Sequence, residues 1–224
     1  MDEERKYNYE SINAEIDIGN ELFPPGYSGQ SVSAILQEGI MLGLTKFGTI
    51  FGAVFLWLIT LFIPYLNVGT TIAILTMPVT LSKGEDIQKA TYIFDKEYRN
   101  YMGEYFTLIG LKSLSLWPAY MFLVIPGIII SIGWSQALYL LFDKKLSPSD
   151  AMIKSSELTA GHKMTLFMVG AVYNIGFFLI GGIICWIVNS ISSFLFVIVL
   201  LILAAVYMVG SVGCHAVIYR KLSK

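Results

Sequence analysis

The feature that most constrains this chain is a set of three long stretches with almost no charge. They run from Phe47 to Thr80, from Tyr105 to Phe142 and from Met164 to Tyr219, and Lys112 is their single charged residue. A helix needs about 20 consecutive apolar residues to cross the hydrocarbon core of a bilayer. Charged residues make up 14% of the chain, against about 25% in soluble domains. Because this is too little charge to cover a water-facing surface, we expect an integral membrane protein.

Each stretch is too long for one crossing and carries turn-forming residues near its middle. These residues are Pro64, Asn67 and Gly69 in the first stretch, Pro126 and Gly127 in the second, and Asn189 and Ser190 in the third. A tight hairpin between two helices requires such residues. The pattern predicts an all-α integral membrane fold with six transmembrane helices arranged as three hairpins. The expected spans are about 47–65, 68–82, 105–125, 127–142, 164–187 and 191–219.

The charges outside the stretches indicate how the chain is oriented. The expected outer turns carry no charged residue, whereas every Lys and Arg after residue 30 falls on the opposite side or close to it. Cytoplasmic loops are enriched in Lys and Arg, so we expect both termini in the cytoplasm. Lys112 lies about two turns into the third helix. We expect its side chain to extend to the cytoplasmic interface, and a functional cation within the membrane is the alternative.

A polar or amphipathic segment of helical character precedes each hairpin. The three segments are 31–47, 85–106 and 147–164. The third has clear start signals, because Ser147 suits an N-cap, Pro148 the first helical position and Asp150 a capping acid. Such helices can lie at the membrane surface with their apolar side down. A protein-binding surface on the cytoplasmic side would show the same pattern.

The first 30 residues differ from the rest of the chain. They are polar and acidic, unlike the apolar stretch of a secretory signal peptide, so we expect insertion to depend on the internal spans. Residues 1–30 are interpreted as an acidic cytoplasmic tail and residues 31–224 as the membrane domain. The element Phe23–Tyr27 makes the tail a candidate docking segment, and a solvated tail is the alternative.

Two elements resemble a known group of membrane proteins. One is 123–145, where an Ile-Pro-Gly turn precedes a helix that ends in Phe-Asp. The other is 147–167, similar to an A-L-x-x-S-x-x-L-T-x-G stretch. It carries Ala151, Met152 in place of Leu, Ser155, Leu158, Thr159 and Gly161. Both elements resemble the YciC-like bacterial membrane proteins and the membrane domain fused to glycerophosphodiester phosphodiesterases. The resemblance covers about residues 30–224 and implies a six-helix fold in the bacterial cell (inner) membrane, without an established reaction.

Few residues suggest catalysis or metal binding. Cys214 and His215 are adjacent, which separates their side chains by about 100° on a helix and prevents a nucleophile–base couple. Cys185 lies in an apolar stretch, where a thiol packs as a small hydrophobe, and we expect His162 at headgroup level. The sequence contains no zinc-hydrolase, serine-hydrolase or phosphate-loop motif. We therefore expect no enzyme activity, no catalytic or metal site and no cofactor. The net charge of −1 gives no indication of nucleic-acid binding.

Four side chains remain as candidate polar groups within the membrane: Lys112, Gln136, Asn174 and His215. Ion-coupled transporters usually place acidic residues at membrane depth, and we expect none there. Neutral polar groups more often join neighbouring helices by hydrogen bonds. The leading hypothesis is a non-enzymatic membrane protein that acts through contacts with membrane lipids or with a protein partner at the cytoplasmic face. The alternative is a transporter or channel for a small or amphipathic solute, which needs a polar cavity between helices.

Overall fold

The computed structural model of the protein describes residues 32–84 and 89–223, and every regular element in these ranges is helical. The α-helices are α1 (Val32–Thr45), α2 (Phe47–Thr60), α3 (Pro64–Ser82), α4 (Lys96–Asn100), α5 (Met102–Phe122), α6 (Val124–Gly133), α7 (Ala137–Asp143), α8 (Pro148–Leu158), α9 (Lys163–Ile191) and α10 (Ser193–Leu222). A 3₁₀ helix, Ala90–Phe94, precedes α4. The tail 1–30, with its candidate docking element, lies outside the described residues.

Several helices have the length and composition of membrane spans. Four segments of the described chain qualify: Pro64–Ser82, Val124–Asp143, Lys163–Ser190 and Leu195–Leu222. Helices α1 and α2 qualify together but are bent by 72°, which makes a fifth span if the pair counts as one. Helix α5 is long enough, at 21 residues, but is not apolar enough to be among the four. The all-α prediction is therefore confirmed, with four or five long apolar helices rather than an established six.

Each long apolar stretch contains a helix break near the turn predicted from its sequence. The breaks fall at 61–63, at Leu123 and at Ser192. Pro64 begins α3, where its missing N–H has no helical partner to lose. The other predicted turn residues, Asn67, Gly69, Pro126, Gly127, Asn189 and Ser190, lie inside helices. The helices on either side of each break pack against one another.

The closest helix crossing joins α1 to the C-terminal half of α10. A Cβ added at Gly213 would overlap the carbonyl oxygen of Gly39, and one added at Gly43 would overlap that of Val209. Small residues at a crossing allow backbones to approach this closely. Successive residues of α1 meet successively earlier residues of α10, so the two helices run in opposite directions. The sequence predicts a surface helix over 31–47, whereas α1 is packed lengthwise on α10.

The chain between α3 and α5 is also covered by protein. Ile93 is 1% exposed, and the Tyr92 hydroxyl donates to the Ala73 carbonyl oxygen of α3 at 3.3 Å. The carbon chain of Arg99 lies against Gly69. The helical segment predicted at 85–106 is thus a 3₁₀ helix, α4 and the start of α5. Tyr92 and Arg99 of this segment pack on α3, and residues 85–88 lie outside the described residues.

A buried junction joins the ends of three helices, α3, α7 and α10. The Asp143 side chain, at the end of α7, is only 6% exposed and forms an ion pair with Lys83, just after α3. Its Oδ2 also accepts a hydrogen bond from the Tyr219 hydroxyl of α10 at 2.5 Å. Because a buried carboxylate needs partners of this kind, the junction fixes α3, α7 and α10 relative to one another.

Candidate functional site

A helix break within a membrane-length segment provides the framework of the site. The sequence predicts a span over 127–142, and Val124–Asp143 qualifies as one membrane-length segment. Within this segment, α6 ends at Gly133 and α7 begins at Ala137. Backbone groups at a helix end have no partner within the helix. The break therefore exposes carbonyl and amide groups that other parts of the chain have to satisfy.

Helix α8 satisfies two of these backbone groups through one side chain. Ser155 Oγ donates to the carbonyl oxygen of Gly133 at 2.6 Å and accepts from the amide of Gln136 at 3.1 Å. Thr159 Oγ1 donates to the carbonyl oxygen of Ser155 at 2.9 Å and lies 3.3 Å from that of Gly133. Ser155 and Thr159 are fully buried. The hydroxyls of Ser155 and Thr159 therefore satisfy the backbone groups of the break that face α8.

The start of α8 follows the prediction from its sequence. Ser147 precedes the helix, its Oγ accepts from the amide of Asp150 at 3.2 Å, and Pro148 is the first helical residue. The helix is followed by Gly161 at a φ of +79°, a left-handed conformation that favours glycine after a helix. Both ends of α8 are thus fixed locally, which positions Ser155 against the break.

Lys112 contacts the same break from α5. Its Nζ donates to the carbonyl oxygen of Trp134 at 3.0 Å. A cation at the C-terminal end of a helix is favourable because carbonyl oxygens give that end a partial negative charge. The contact places the ammonium of Lys112 on the α6–α7 break and gives this candidate residue a positioning role.

A cleft of about 160 Å³, lined by both apolar and polar residues, lies between the break, α9 and α10. Its polar lining comes from Ser135, Gln136, Tyr173, Asn174, Tyr207, Ser211, Cys214 and His215. Three of the four candidate polar groups therefore come together, and Lys112 is bonded nearby at the break. No acidic or basic side chain with a fixed charge is among the described residues that line the cleft.

One wall of the cleft is held by hydrogen bonds between α9 and α10. Asn174 donates to the carbonyl oxygen of Gly170 at 2.7 Å and accepts from the Tyr207 hydroxyl at 2.7 Å. The Tyr173 hydroxyl donates to the carbonyl oxygen of Tyr207 at 2.6 Å. The Asn174 amide is thus satisfied within the protein, and its role is to hold this wall in place.

Gln136 differs from Asn174 because half of its amide has no partner. The residue is 2% exposed, and its Nε2 donates to Ser135 Oγ at 2.9 Å. Its buried Oε1 has no hydrogen-bond partner among the described residues. A buried unsatisfied acceptor costs about 1–3 kcal/mol, and such groups in folded proteins call for an explanation. Gln136 Oε1 is therefore a buried acceptor without a partner in the described chain, on a residue that lines the cleft.

His215 supplies a second available acceptor at the cleft. Its Nδ1 lies 2.8 Å from the carbonyl oxygen of Ser211. Since a carbonyl oxygen only accepts, Nδ1 carries the proton in that contact, and Nε2 of the neutral ring has a free lone pair. The ring also packs edge-on against Tyr139 at a centroid distance of 6.4 Å. His215 is exposed, so a ligand can reach its outer nitrogen.

Several lining residues were missed in the sequence although a signal was present. Tyr207, Ser211 and His215 recur every four residues, which places them on one face of α10. Tyr173 and Asn174 face them from α9. A polar stripe of this kind in an otherwise apolar helix is the pattern that would have identified the cleft.

A second concave surface lies beside α1 and is less suited to a ligand. It is a groove of about 480 Å³, and its charges are paired with one another. Glu38 forms ion pairs with Arg220 and Lys221. Burial raises the pKa of Glu38, but the hydrogen bonds and positive charges of Lys221 and Arg220 outweigh it and hold that pKa below its ordinary value. The groove thus has no vacant polar group comparable to Gln136 Oε1 among the residues described.

The remaining candidate residues form no site in the described part of the chain. His162 directly precedes α9, and Cys185 is half-buried in α9 without a disulfide. No three His, Cys, Asp or Glu residues within 32–84 and 89–223 are grouped so that they could hold a metal ion.

No protein-family model, curated protein or solved structure matches this chain. The fold defines a class, a helical protein with several membrane-length helices. The relation to the YciC-like proteins stays a prediction from the two sequence elements.

Proposed function

We propose that the protein is a non-enzymatic, multi-pass membrane protein that binds membrane lipid in the cleft beside the α6–α7 break. The observation that carries this proposal is the convergence of three distant residues. Gln136 of the α6–α7 break, Asn174 of α9 and His215 of α10 line one cleft. Irregular backbone at membrane depth is tolerated where it is covered by protein or lines a cavity, and broken helices often mark binding sites in membrane proteins.

The surroundings of the cleft favour a ligand from the bilayer. In the most apolar parts of α9 and α10, only 6% and 11% of the residues are buried inside the protein. Lipid therefore covers most of this hairpin. Residues of α9 that line the cleft alternate with exposed apolar residues, among them Phe167, Val172 and Ile175. A lipid can therefore place its headgroup in the cleft while its acyl chains follow the apolar face of α9.

In this proposal the chain crosses the membrane six times as three hairpins, with both termini cytoplasmic. Two observations support it. The breaks at 61–63 and at Leu123 are flanked by apolar tips, where Phe62 and Phe122 are 89% and 85% exposed. The ionic contacts of Asp143 and Glu38 lie at the opposite ends of the helices. The proposed location, the bacterial inner membrane, follows from the resemblance alone.

Reporter fusions test the orientation. We expect a fluorescent protein fused to the C-terminus to fluoresce and alkaline phosphatase fused there to be inactive, because only the first reporter matures in the cytoplasm. An active phosphatase and a dark fluorescent fusion would show that the C-terminus is outside.

A matched pair of variants tests lipid binding. A Cβ added at Gly170 or Gly176 of α9 would have no atom within 4 Å, so both positions accept a larger side chain. Only Gly170 lines the cleft. We expect wild type and Gly176→Leu, purified in mild detergent, to retain about one phospholipid per chain, and Gly170→Leu to lose it. Equal retention by all three proteins, or no lipid on any, would contradict the proposal.

The second candidate function is a transporter or channel for a small or amphipathic solute. This function requires a cavity between helices, and the cleft lined by Gln136 and Asn174 supplies one. Proteoliposomes exposed to a glycerol gradient distinguish the two functions by light scattering. Faster swelling with wild type than with Gly170→Leu supports transport, and equal rates support binding alone.

A further inference from the structure

We infer that the group bound in the cleft is an uncharged, hydroxyl-bearing headgroup, such as the terminal glycerol of phosphatidylglycerol, held between Gln136 and His215. This inference rests on the proposed function and names the chemistry of its ligand. It follows from which polar atoms of the cleft are vacant, from the absence of fixed charge in the lining, and from the size of the cleft.

The vacant atoms require a ligand that donates hydrogen bonds. Gln136 Oε1 is buried without a partner in the described chain, while the Nε2 of the same amide is occupied by Ser135. His215 has its Nδ1 occupied by the carbonyl oxygen of Ser211, which leaves Nε2 as an acceptor. A ligand with two O–H groups satisfies both acceptors at once, and a group that only accepts satisfies neither.

The lining disfavours a charged ligand group. None of the described residues around the cleft carries a fixed charge, and the nearby carboxylate of Asp143 is occupied by Lys83 and Tyr219. Removing an ion from water is costly unless an opposite charge compensates it. The Lys112 ammonium at the break is bonded to the carbonyl oxygen of Trp134 and is not part of the lining. An ammonium or phosphate inside the cleft would therefore lack a compensating charge in the lining, whereas a hydroxyl needs only hydrogen bonds.

The size of the cleft limits how much of the ligand enters it. A volume of about 160 Å³ has room for several water molecules, which is comparable to a small polyol. An acyl chain does not fit in addition, so it has to remain outside, along the exposed face of α9. The phosphate of a phospholipid then lies outside the cleft as well.

Lipids with identical acyl chains and different headgroups test the inference. The full-length protein in mild detergent is mixed with equal amounts of phosphatidylglycerol, phosphatidic acid, phosphatidylethanolamine and phosphatidylcholine, and bound lipid is counted by native mass spectrometry. Phosphatidic acid carries the anionic phosphate without the glycerol and thus separates charge from hydroxyl groups. We expect phosphatidylglycerol to be preferred about tenfold or more over each of the others, which corresponds to at least about 1.4 kcal/mol.

Two variants assign the preference to the proposed atoms. Gln136→Met removes Oε1 at nearly constant side-chain length, and His215→Leu removes Nε2 at an exposed position. We expect each variant to bind phosphatidylglycerol no better than phosphatidic acid. If the first variant does not fold, the second still decides the outcome, and Gly176→Leu should keep the wild-type preference. A preference unchanged in both variants would overturn the assignment.

The remaining outcomes separate this inference from the proposed function. Lipid retention that depends on an open cleft but not on the headgroup overturns the hydroxyl inference alone. A preference for phosphatidylethanolamine or phosphatidylcholine also overturns it, because both present a cation. If free glycerol at millimolar concentration binds in competition with lipid, the hydroxyl chemistry is supported and its source is a free polyol. If neither lipid nor glycerol binds, both the inference and the proposed function fail.

Discussion

Replacing Ser155 by alanine removes the side chain that joins α8 to the helix break. Its Oγ is the donor to the carbonyl oxygen of Gly133 and the acceptor for the amide of Gln136, at 2.6 and 3.1 Å. The site is fully buried, so water cannot easily replace the missing hydroxyl. Two backbone groups thus lose a partner through the removal of a single oxygen atom.

The size of the destabilisation depends on which hydrogen bonds remain to the two backbone groups after the substitution. The amide of Gln136 is left without a partner, and a buried unsatisfied donor costs about 1–3 kcal/mol. The carbonyl oxygen of Gly133 keeps only the Thr159 hydroxyl at 3.3 Å, a weaker contact. We therefore expect Ser155→Ala to destabilise the protein by about 2–4 kcal/mol. For a chain of this size that corresponds to a lowering of the melting temperature by roughly 5–15 °C.

Thermal unfolding in detergent, followed by fluorescence-detected size exclusion, measures the effect. Ser156→Ala is the matched control, because the neighbouring Ser156 hydroxyl forms no hydrogen bond with the break in the described structure. We expect the control to melt within about 2 °C of wild type, since substitutions away from such features change stability by about 0.5 kcal/mol or less. If the two alanine variants melt together, the account of how the break is held is wrong.

Four further predictions use the same melting assay. Without bound lipid, Gln136→Met should be as stable as wild type or up to about 2 kcal/mol more stable, because a buried acceptor without a partner is removed. Asn174→Leu should destabilise the protein by about 1–3 kcal/mol, because it leaves the Tyr207 hydroxyl unpaired. Gly213→Leu should cost about 3 kcal/mol or more by separating α1 from α10, whereas Gly48→Leu, in open space, should not. Glu38 has a lowered pKa in the folded state, so its contribution is present at neutral pH and is lost as the pH falls through that pKa. Because its side chain is 43% exposed, the difference between wild type and Glu38→Gln should stay below about 1 kcal/mol at pH 7 and vanish in acid. A Gln136→Met variant that melts below wild type would contradict the first prediction. A Gly213→Leu variant that melts with wild type would contradict the crossing, and a stability difference between wild type and Glu38→Gln that grows in acid would contradict the last.

The parts of the fold that could be predicted depend on local sequence patterns. Apolar stretches longer than one span and turn residues near their centres indicated three breaks, and the structure has breaks within three residues of those turns at 61–63, Leu123 and Ser192. The start of α8 was predictable because Ser147 and Asp150 contact each other across a single turn. Such signals involve only neighbours along the chain.

Contacts between distant segments could not be predicted in the same way. The crossing of α1 and α10 depends on Gly39 and Gly43 meeting Gly213, and nothing in either segment specifies the other. No proline within 134–136 marks the α6–α7 break in the sequence. The break is stabilised instead by Ser155 on another helix. A sequence pattern shows that a residue is polar but not which backbone group it will meet.

The candidate site was predictable to the extent that its residues stand out in apolar stretches. Gln136, Asn174 and His215 were identified for that reason, and they line the cleft. Lys112 was identified as the single charged residue of the apolar stretches, but its contact with the carbonyl oxygen of Trp134 could not be predicted from the sequence. Tyrosine and serine are common in membrane helices, so the tyrosines and serines of the lining did not stand out.

The most direct measurement for the central claim is an experimental structure of the full-length protein in a bilayer that contains phosphatidylglycerol. We expect non-protein density in the cleft, with an atom within about 3 Å of Gln136 Oε1 and a continuous tail along the apolar face of α9. The account is contradicted if Gln136 Oε1 is bonded to a protein group and side chains from α9 and α10 fill the cleft.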